Sequence, residues 1–175
     1  MNVVDSLKNH SVEAIKDYCK KNCNKASLAM FNTNYDFNIS SIIRTANIMG
    51  FSEVHHIQKE GKRIDRRATV GAHHYTDVIH SYDADEFFEK IKNKYVPIAV
   101  ENNVDYQSFD AYKFVFPSNA CFIFGSESEG LTKDVLDRCE SMITIPNFGA
   151  IRSFNVGVTA AIIGGLFIKQ TYENS

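Results

Sequence analysis

The chain lacks several features that would settle its class at once. In 175 residues no apolar run approaches the roughly 18 that a membrane-spanning helix needs. The start, Met1-Asn2-Val3-Val4-Asp5-Ser6, lacks the basic-then-apolar order of a secretory signal, so a cytoplasmic protein without a membrane span is expected. Only four cysteines are present, at 19, 23, 121 and 139. Cys19 and Cys23 are spaced to share one helix face, but no second ligand pair follows at zinc spacing, so no metal is expected. Cys121 lies in an apolar run and reads as a buried free thiol. The chain also has no linker, low-complexity tract or internal repeat, which gives one domain over residues 1–175. A net charge of -2 argues against a protein that coats nucleic acid, yet it leaves room for a local basic surface.

What is present is an alternation of short apolar runs and amphipathic stretches. Residues 11–23 read as a helix with lysines outward, and residues 1–25 together as an N-terminal helical extension. Strands are predicted at Leu28–Phe31, Val54–Ile57, Val96–Val100, Cys121–Phe124 and Met142–Ile145. Between them, helices are predicted from Asn38 to a stop at Gly50, over Asp83–Tyr95, over Thr132–Cys139 and over Ser153–Tyr172. This alternation implies an α/β fold, a mainly parallel sheet with helices on both faces. The last helix is apolar nearly all round, and Gly164-Gly165 inside it costs about 1 kcal/mol per glycine unless close packing offsets it. It is either a central core helix or one shared between its own sheet and a partner subunit.

Three segments carry residues suited to chemistry. In Asn38-Ile39-Ser40-Ser41-Ile42-Ile43-Arg44, Asn38 can cap the helix, and Arg44 either snorkels to the surface or supplies a fixed cation. In Phe124-Gly125-Ser126-Glu127-Ser128-Glu129-Gly130-Leu131-Thr132, a glycine turn follows a buried strand, where α/β proteins place ligands. It is not a P-loop, because Leu131-Thr132 stands where Lys-Ser/Thr is required, and Glu127 and Glu129 would repel a triphosphate. An early Gly-x-Gly-x-x-Gly turn is also missing, which disfavours a dinucleotide enzyme. In Ile145-Pro146 through Ser153-Phe154-Asn155-Val156, Ser153 can cap the last helix, which leaves Asn155 without an explanation.

In this order the three segments resemble the motifs of the SpoU/TrmH class of SPOUT RNA 2′-O-ribose methyltransferases. The first is Asn, five residues, then Arg; the second is Gly-x-Glu-x-x-Gly; the third runs Ile-Pro to Ser-Leu-Asn-Val. Here Phe154 replaces the usual leucine, and Gly157 stands where serine is frequent. The resemblance, over about residues 28 to 170, implies an α/β knot with a C-terminal trefoil, S-adenosylmethionine as cofactor and a homodimer. It implies that Glu101, Asn102, Gly125, Ile145 and Phe154 surround the cofactor, and that Arg44 activates the ribose hydroxyl. Asn38, Glu127, Ser153 and Asn155 would hold the pocket, Arg44 and the RNA in register.

RNA contact is expected from the basic segment Lys59, Lys62, Arg63, Arg66 and Arg67, unless it is only a solvated loop. Arg152 is a further RNA contact or an ordinary loop arginine. Gly149 to Ser153 somewhat resembles the transfer RNA guanosine enzymes, so transfer RNA is favoured over ribosomal RNA. The rival readings are a SPOUT-like RNA-binding protein without catalysis and an unrelated α/β nucleotide enzyme.

Overall fold

The computed structural model describes residues 3–31, 36–59, 64–102, 105–126 and 128–173. Seven strands form one sheet: β1 (Ser27–Phe31), β2 (Glu53–Ile57), β3 (Asp77–Ser81), β4 (Val96–Val100), β5 (Phe109–Asp110), β6 (Ala120–Phe124) and β7 (Ser141–Thr144). Their order is β3-β2-β1-β6-β4-β7-β5, and every pairing is parallel. Among the described residues five α-helices flank the sheet: α1 (Val12–Lys21) before β1, then α2 (Asp36–Ile48), α3 (Ala84–Ile91) and α4 (Lys133–Asp137) between strands, and α5 (Val156–Glu173) after β7.

Strand residues alternate between two apolar clusters, as the two-residue period of a pleated strand requires. Leu28, Met30, Val54, Phe122, Phe124 and Ile143 pack with Ile39, Ile43, Ile163 and Phe167 of α2 and α5. Ala29, Phe31, Ala99, Cys121 and Ile123 point the other way, onto Phe87 and Ile91 of α3 and Val135 and Leu136 of α4. The sheet is therefore covered on both faces, and its central strands read as unbroken apolar runs. Burial pushes the Cys121 thiol up to about 12, so it stays an inert core residue.

Helix ends follow local chemistry. Ser11 Oγ accepts from Ala14 N at 3.2 Å, and Asp83 Oδ1 accepts from Glu86 N at 2.9 Å. Gly50, at φ +68, ends α2 in the left-handed conformation that suits glycine.

Four expectations need correction. Strands β3 and β5 are absent from the sequence reading because they are the two edges of the sheet, and β5 has two residues. Helix α5 starts at Val156, and its cap is Asn155, whose Oδ1 accepts from Gly157 N at 2.9 Å and Val158 N at 3.4 Å. Asn38 is not a cap: it sits in the first turn of α2, which begins at Asp36. Close packing reaches only one glycine of the α5 pair. Gly164 lies under the side chains of Met49 and Phe51, whereas Gly165 faces open space.

Candidate functional site

Strands β6, β4 and β7 are neighbours, and their C-terminal ends open into one cleft of about 840 Å³. Its walls are Val100 to Asn102, Phe124 to Ser126 with Gly130, and Thr144 to Thr159 except for Gly157 and Val158. The volume lies within the roughly 300–1,000 Å³ of small-molecule pockets, and its place at strand ends is the usual one for an α/β sheet. Glu101, Asn102, Gly125, Ile145 and Phe154 all line it, together with Arg152, Ser153 and Asn155.

The glycine turn after β6 is closed on itself. Ser126 O accepts from Gly130 N at 3.0 Å, and Ser126 Oγ accepts from Glu129 N at 3.2 Å. A Cβ on Gly125 would stand 2.2 Å from the carbonyl carbon of Gly130 and 2.4 Å from Leu131 N. Both obstacles are backbone, so only glycine fits there. Gly125→Ala is expected to open the turn, cost about 2 kcal/mol as an overpacked site does, and weaken binding of any cleft ligand. Denaturant unfolding and calorimetry check both effects. Glu127 lies outside the described residues.

The loop after β7 is held by Asn147, which sequence reasoning missed. Asn147 Oδ1 accepts from Gly149 N at 2.8 Å, and Asn147 Nδ2 donates to Ile151 O. An asparagine binding its own backbone two residues on is a turn signal, and Asn147-Phe148-Gly149 carries it. Tyr112 and Thr159 also line the cleft and were not singled out. Tyr112 follows the short edge strand that the sequence did not reveal.

The first and third motifs meet at one hydrogen bond. Asn155 Nδ2 donates to Asn38 Oδ1 at 3.0 Å, across 117 residues of chain. Asn38 is 4% exposed and Asn155 is exposed, so this part-buried bond ties the start of α2 to the start of α5. Gly157 fits the same junction, because a Cβ there would stand 3.0 Å from Ser41 Oγ. A side chain at this position would have to displace the Ser41 hydroxyl by a few tenths of an ångström. Ser153 is exposed at the cleft.

Arg44 is exposed on α2 and is not among the cleft-lining residues. Helical periodicity places it on a ridge with Phe37, Ser41 and Ile48. One flank of that ridge faces the segment after β2: Ser40 Oγ donates to Asp65 O at 3.0 Å, and Asn47 Nδ2 donates to Thr76 Oγ1 at 3.2 Å. The other flank runs along α5 through Ser41 and Gly157. Arg44 thus stands at the surface between that segment and the α5 junction.

The basic segment is only partly described; Lys62 and Arg63 lie outside the described residues. Arg66 and Lys59 are exposed. Arg67 is committed to Asp65, with Nε to Oδ1 and an Nη to Oδ2 both at 3.1 Å. Those bonds hold the Asp65 carboxyl below its usual range. Further on, Thr69 Oγ1 donates to Arg66 O at 2.8 Å and contacts His73 Nδ1 at 2.5 Å. The threonine has one proton, so His73 Nδ1 carries the hydrogen of the second bond, and Nε2 is the nitrogen left to titrate. Burial, then His74 and Arg66, lower the His73 pKa. Val70, in the same segment, holds φ +52, a strained value for a β-branched residue.

Among the described residues no three metal-ligating side chains come together. Cys19 Sγ accepts from Asn47 Nδ2 at 3.8 Å, and Cys23 Sγ donates to Lys20 O at 3.2 Å. No helix among the described residues is long and apolar enough to cross a membrane.

A model of the SpoU rRNA Methylase family matches residues 25–164. The chain belongs to the SpoU family. Relatives named tRNA (guanosine(18)-2'-O)-methyltransferase, from Borreliella burgdorferi and Escherichia coli K12, are each 28% identical over 72% of this chain. The chain spans 58% and 55% of their lengths, little more than half. Among solved structures, the A. aeolicus TrmH/SpoU tRNA modifying enzyme superposes with a TM-score of 0.81 at 20% identity, covering 93% of this chain and 83% of that one. The SpoU methyltransferase AviRb from Streptomyces viridochromogenes, solved with the cofactor AdoMet, gives 0.76 at 18% identity over 85% of this chain and 59% of that one. Both share the SpoU fold described above.

Proposed function

We propose that this chain transfers a methyl group from S-adenosylmethionine to a ribose 2′-hydroxyl of RNA, transfer RNA in the first place. The observation that carries the reading is the convergence of the three motifs: the second and third wall one cleft, and the Asn38–Asn155 bond joins the first to the third. The cleft suits this cofactor because the tight turn of Gly125 and Gly130 forms one wall of it, and Ile145 and Phe154 line it as apolar partners for an adenine ring. The trefoil knot, the homodimer and a cytoplasmic location belong to the same reading. Exposed apolar residues support the dimer: Phe37 and Ile48 beside Arg44, and Val158 on α5. The relatives' names favour transfer RNA.

The cofactor, when bound, supplies an electrophilic methyl carbon on a sulfonium. The chain supplies the rest. Arg44 donates hydrogen bonds to the ribose oxygen or its neighbouring phosphate and stabilises the charge that grows as the hydroxyl proton departs. It does not take that proton, since a guanidinium holds its own too tightly; a substrate phosphate or water accepts it. Asn38 and Asn155 keep α2 fixed against the cleft, and Glu127 and Ser153 complete the site on this reading. Arg63, Arg66, Arg67 and Arg152 guide the RNA backbone.

The test is calorimetry with S-adenosylmethionine against NAD and ATP, followed by methyl transfer to transfer RNA and to ribosomal RNA, with the product mapped as 2′-O-methyl ribose. Binding of S-adenosylmethionine alone and transfer to transfer RNA are expected. Transfer only to ribosomal RNA would move the substrate, RNA binding without transfer would mark a silent homologue, and binding of neither cofactor nor RNA would sink the reading. For the basic segment, Arg66→Glu is cleaner than a change at Arg67, which would also release Asp65. It is expected to weaken RNA binding about tenfold and lower the salt slope by about one, measured by filter binding across salt.

A further inference from the structure

The two loops of the cleft leave different strands, and each is tied to the end of a third. Strand β4 ends at Val100, but its ladder continues, since Glu101 N donates to Ile143 O at 3.1 Å. The Glu101 carboxylate then accepts twice from backbone: Oε1 from Asn102 N at 2.9 Å and Oε2 from Leu131 N at 2.8 Å. Gly130, at φ +66, lies against it so closely that a Cβ there would stand 2.4 Å from Oε2. Asn102 Nδ2 reaches the opposite loop and donates to Arg152 O at 2.6 Å. Two consecutive side chains thus fasten the turn after β6 and the loop after β7 to the same strand end.

We propose that Glu101 and Asn102 are positioning residues that lock the two cleft loops to β4, and that they act on the cofactor through those loops. This rests on the reading that the cleft takes S-adenosylmethionine, and it differs from direct contact with the cofactor. Each carboxylate oxygen of Glu101 already receives a backbone amide. A charge-assisted bond of this kind is among the stronger ones in a protein, and losing it frees the loop it holds. A lock of this sort is indifferent to the charge on the cofactor's sulfur. A carboxylate acting directly on the ligand would instead prefer the sulfonium over the neutral product S-adenosylhomocysteine.

The experiment compares Glu101→Ala, Glu101→Gln and Asn102→Ala with the unaltered chain, by amide hydrogen exchange without ligand and by calorimetry with both ligands. In Glu101→Ala the Leu131 amide is expected to exchange at least about tenfold faster, and affinity for both ligands to fall equally, by about tenfold. Glu101→Gln keeps one acceptor oxygen and should recover part of each loss. Asn102→Ala should speed exchange only in the loop after β7, with a smaller but again equal loss; it spares the Leu131 link and keeps the test open if Glu101→Ala fails to fold. With saturating transfer RNA and varied cofactor, the variants should raise KM for the cofactor more than they lower kcat. Unchanged exchange at Leu131 would overturn the proposal, as would a loss confined to S-adenosylmethionine. If the unaltered chain bound neither ligand, the reading of the cleft would fail, while the exchange rates would still decide whether the lock exists.

Discussion

Arg44→Ala is expected to lower methyl transfer by about a hundredfold to ten-thousandfold while leaving cofactor affinity within a factor of about three. The separation follows from where Arg44 stands. It is exposed on α2 and is not part of the cleft wall, whereas every residue assigned to the cofactor and described here lines that wall. On the proposed reading, removing it takes away a cation that meets the substrate and leaves the cleft wall untouched. Arg44→Lys keeps the charge but loses the planar fork of donors, and intermediate activity is expected from it. Single-turnover transfer to transfer RNA, with calorimetry on the same samples, measures both quantities. Equal loss of rate and cofactor affinity would remove Arg44 from this role.

The largest effect on stability is expected at the start of β2, at the end of the strands away from the cleft. Glu53, 8% exposed at the start of β2, accepts from His55 Nε2 at 3.0 Å and from Lys94 Nζ at 2.8 and 2.9 Å. Beside them, Ser52 Oγ and Tyr95 Oη are 2.8 Å apart, and Lys94 Nζ lies 4.9 Å from the centre of the Tyr95 ring. Burial alone would raise the Glu53 carboxyl, but the bonds from His55 and Lys94 outweigh it and bring it down to about 2. The folded chain keeps this carboxylate ionised at acidities where the unfolded chain, with its value near 4.5, has protonated. Unfolding then takes up a proton, so the stabilisation is complete above about pH 4.5 and is lost as pH falls toward 2.

The shift corresponds to about 3 kcal/mol. Glu53→Ala should cost about that much at pH 7, because it leaves the fully buried His55 without the acceptor its Nε2 hydrogen requires. Lys94 is half-exposed and can rehydrate, which keeps the cost from rising further. Urea unfolding at pH 7, 4 and 3 checks the sign: the unaltered chain should lose more stability over that range than Glu53→Gln does. A parallel loss in both would place the acid sensitivity elsewhere.

How much of this was legible in the sequence depended on where each residue sits. The central strands β1, β4, β6 and β7 were found as apolar runs because both of their faces are covered. The edge strands β3 and β5 were not, because an edge meets fewer neighbours and its side chains need not be apolar. The last helix was readable as apolar but not as directional. Its buried stripe is Gly157, Ala160, Ile163, Gly164 and Phe167, and residues as apolar as Val158 face outward. Nothing in the local pattern of Ser153 and Asn155 says which one caps α5. That choice follows from Asn38, which lies 117 residues away along the chain and holds the Asn155 amide.

By itself, then, the sequence determined the α/β class, the three motifs and the short reach of each. Gly125 and Gly130 mark a tight turn, Ile145-Pro146 ends a strand, and Arg44 rides an apolar helix; each is a local signal carried by backbone sterics and periodicity. Only the tertiary structure decided that the cleft is one space, that Asn155 is both cap and bridge, that Arg67 is bound to Asp65, and that Glu101 spends its charge on the backbone. Apart from the local Arg67–Asp65 pair and the Asn155 cap, these bring together groups far apart in the chain. A partner for a carboxylate or an amide is set by what the sheet order brings beside it, and no spacing in the sequence encodes that order.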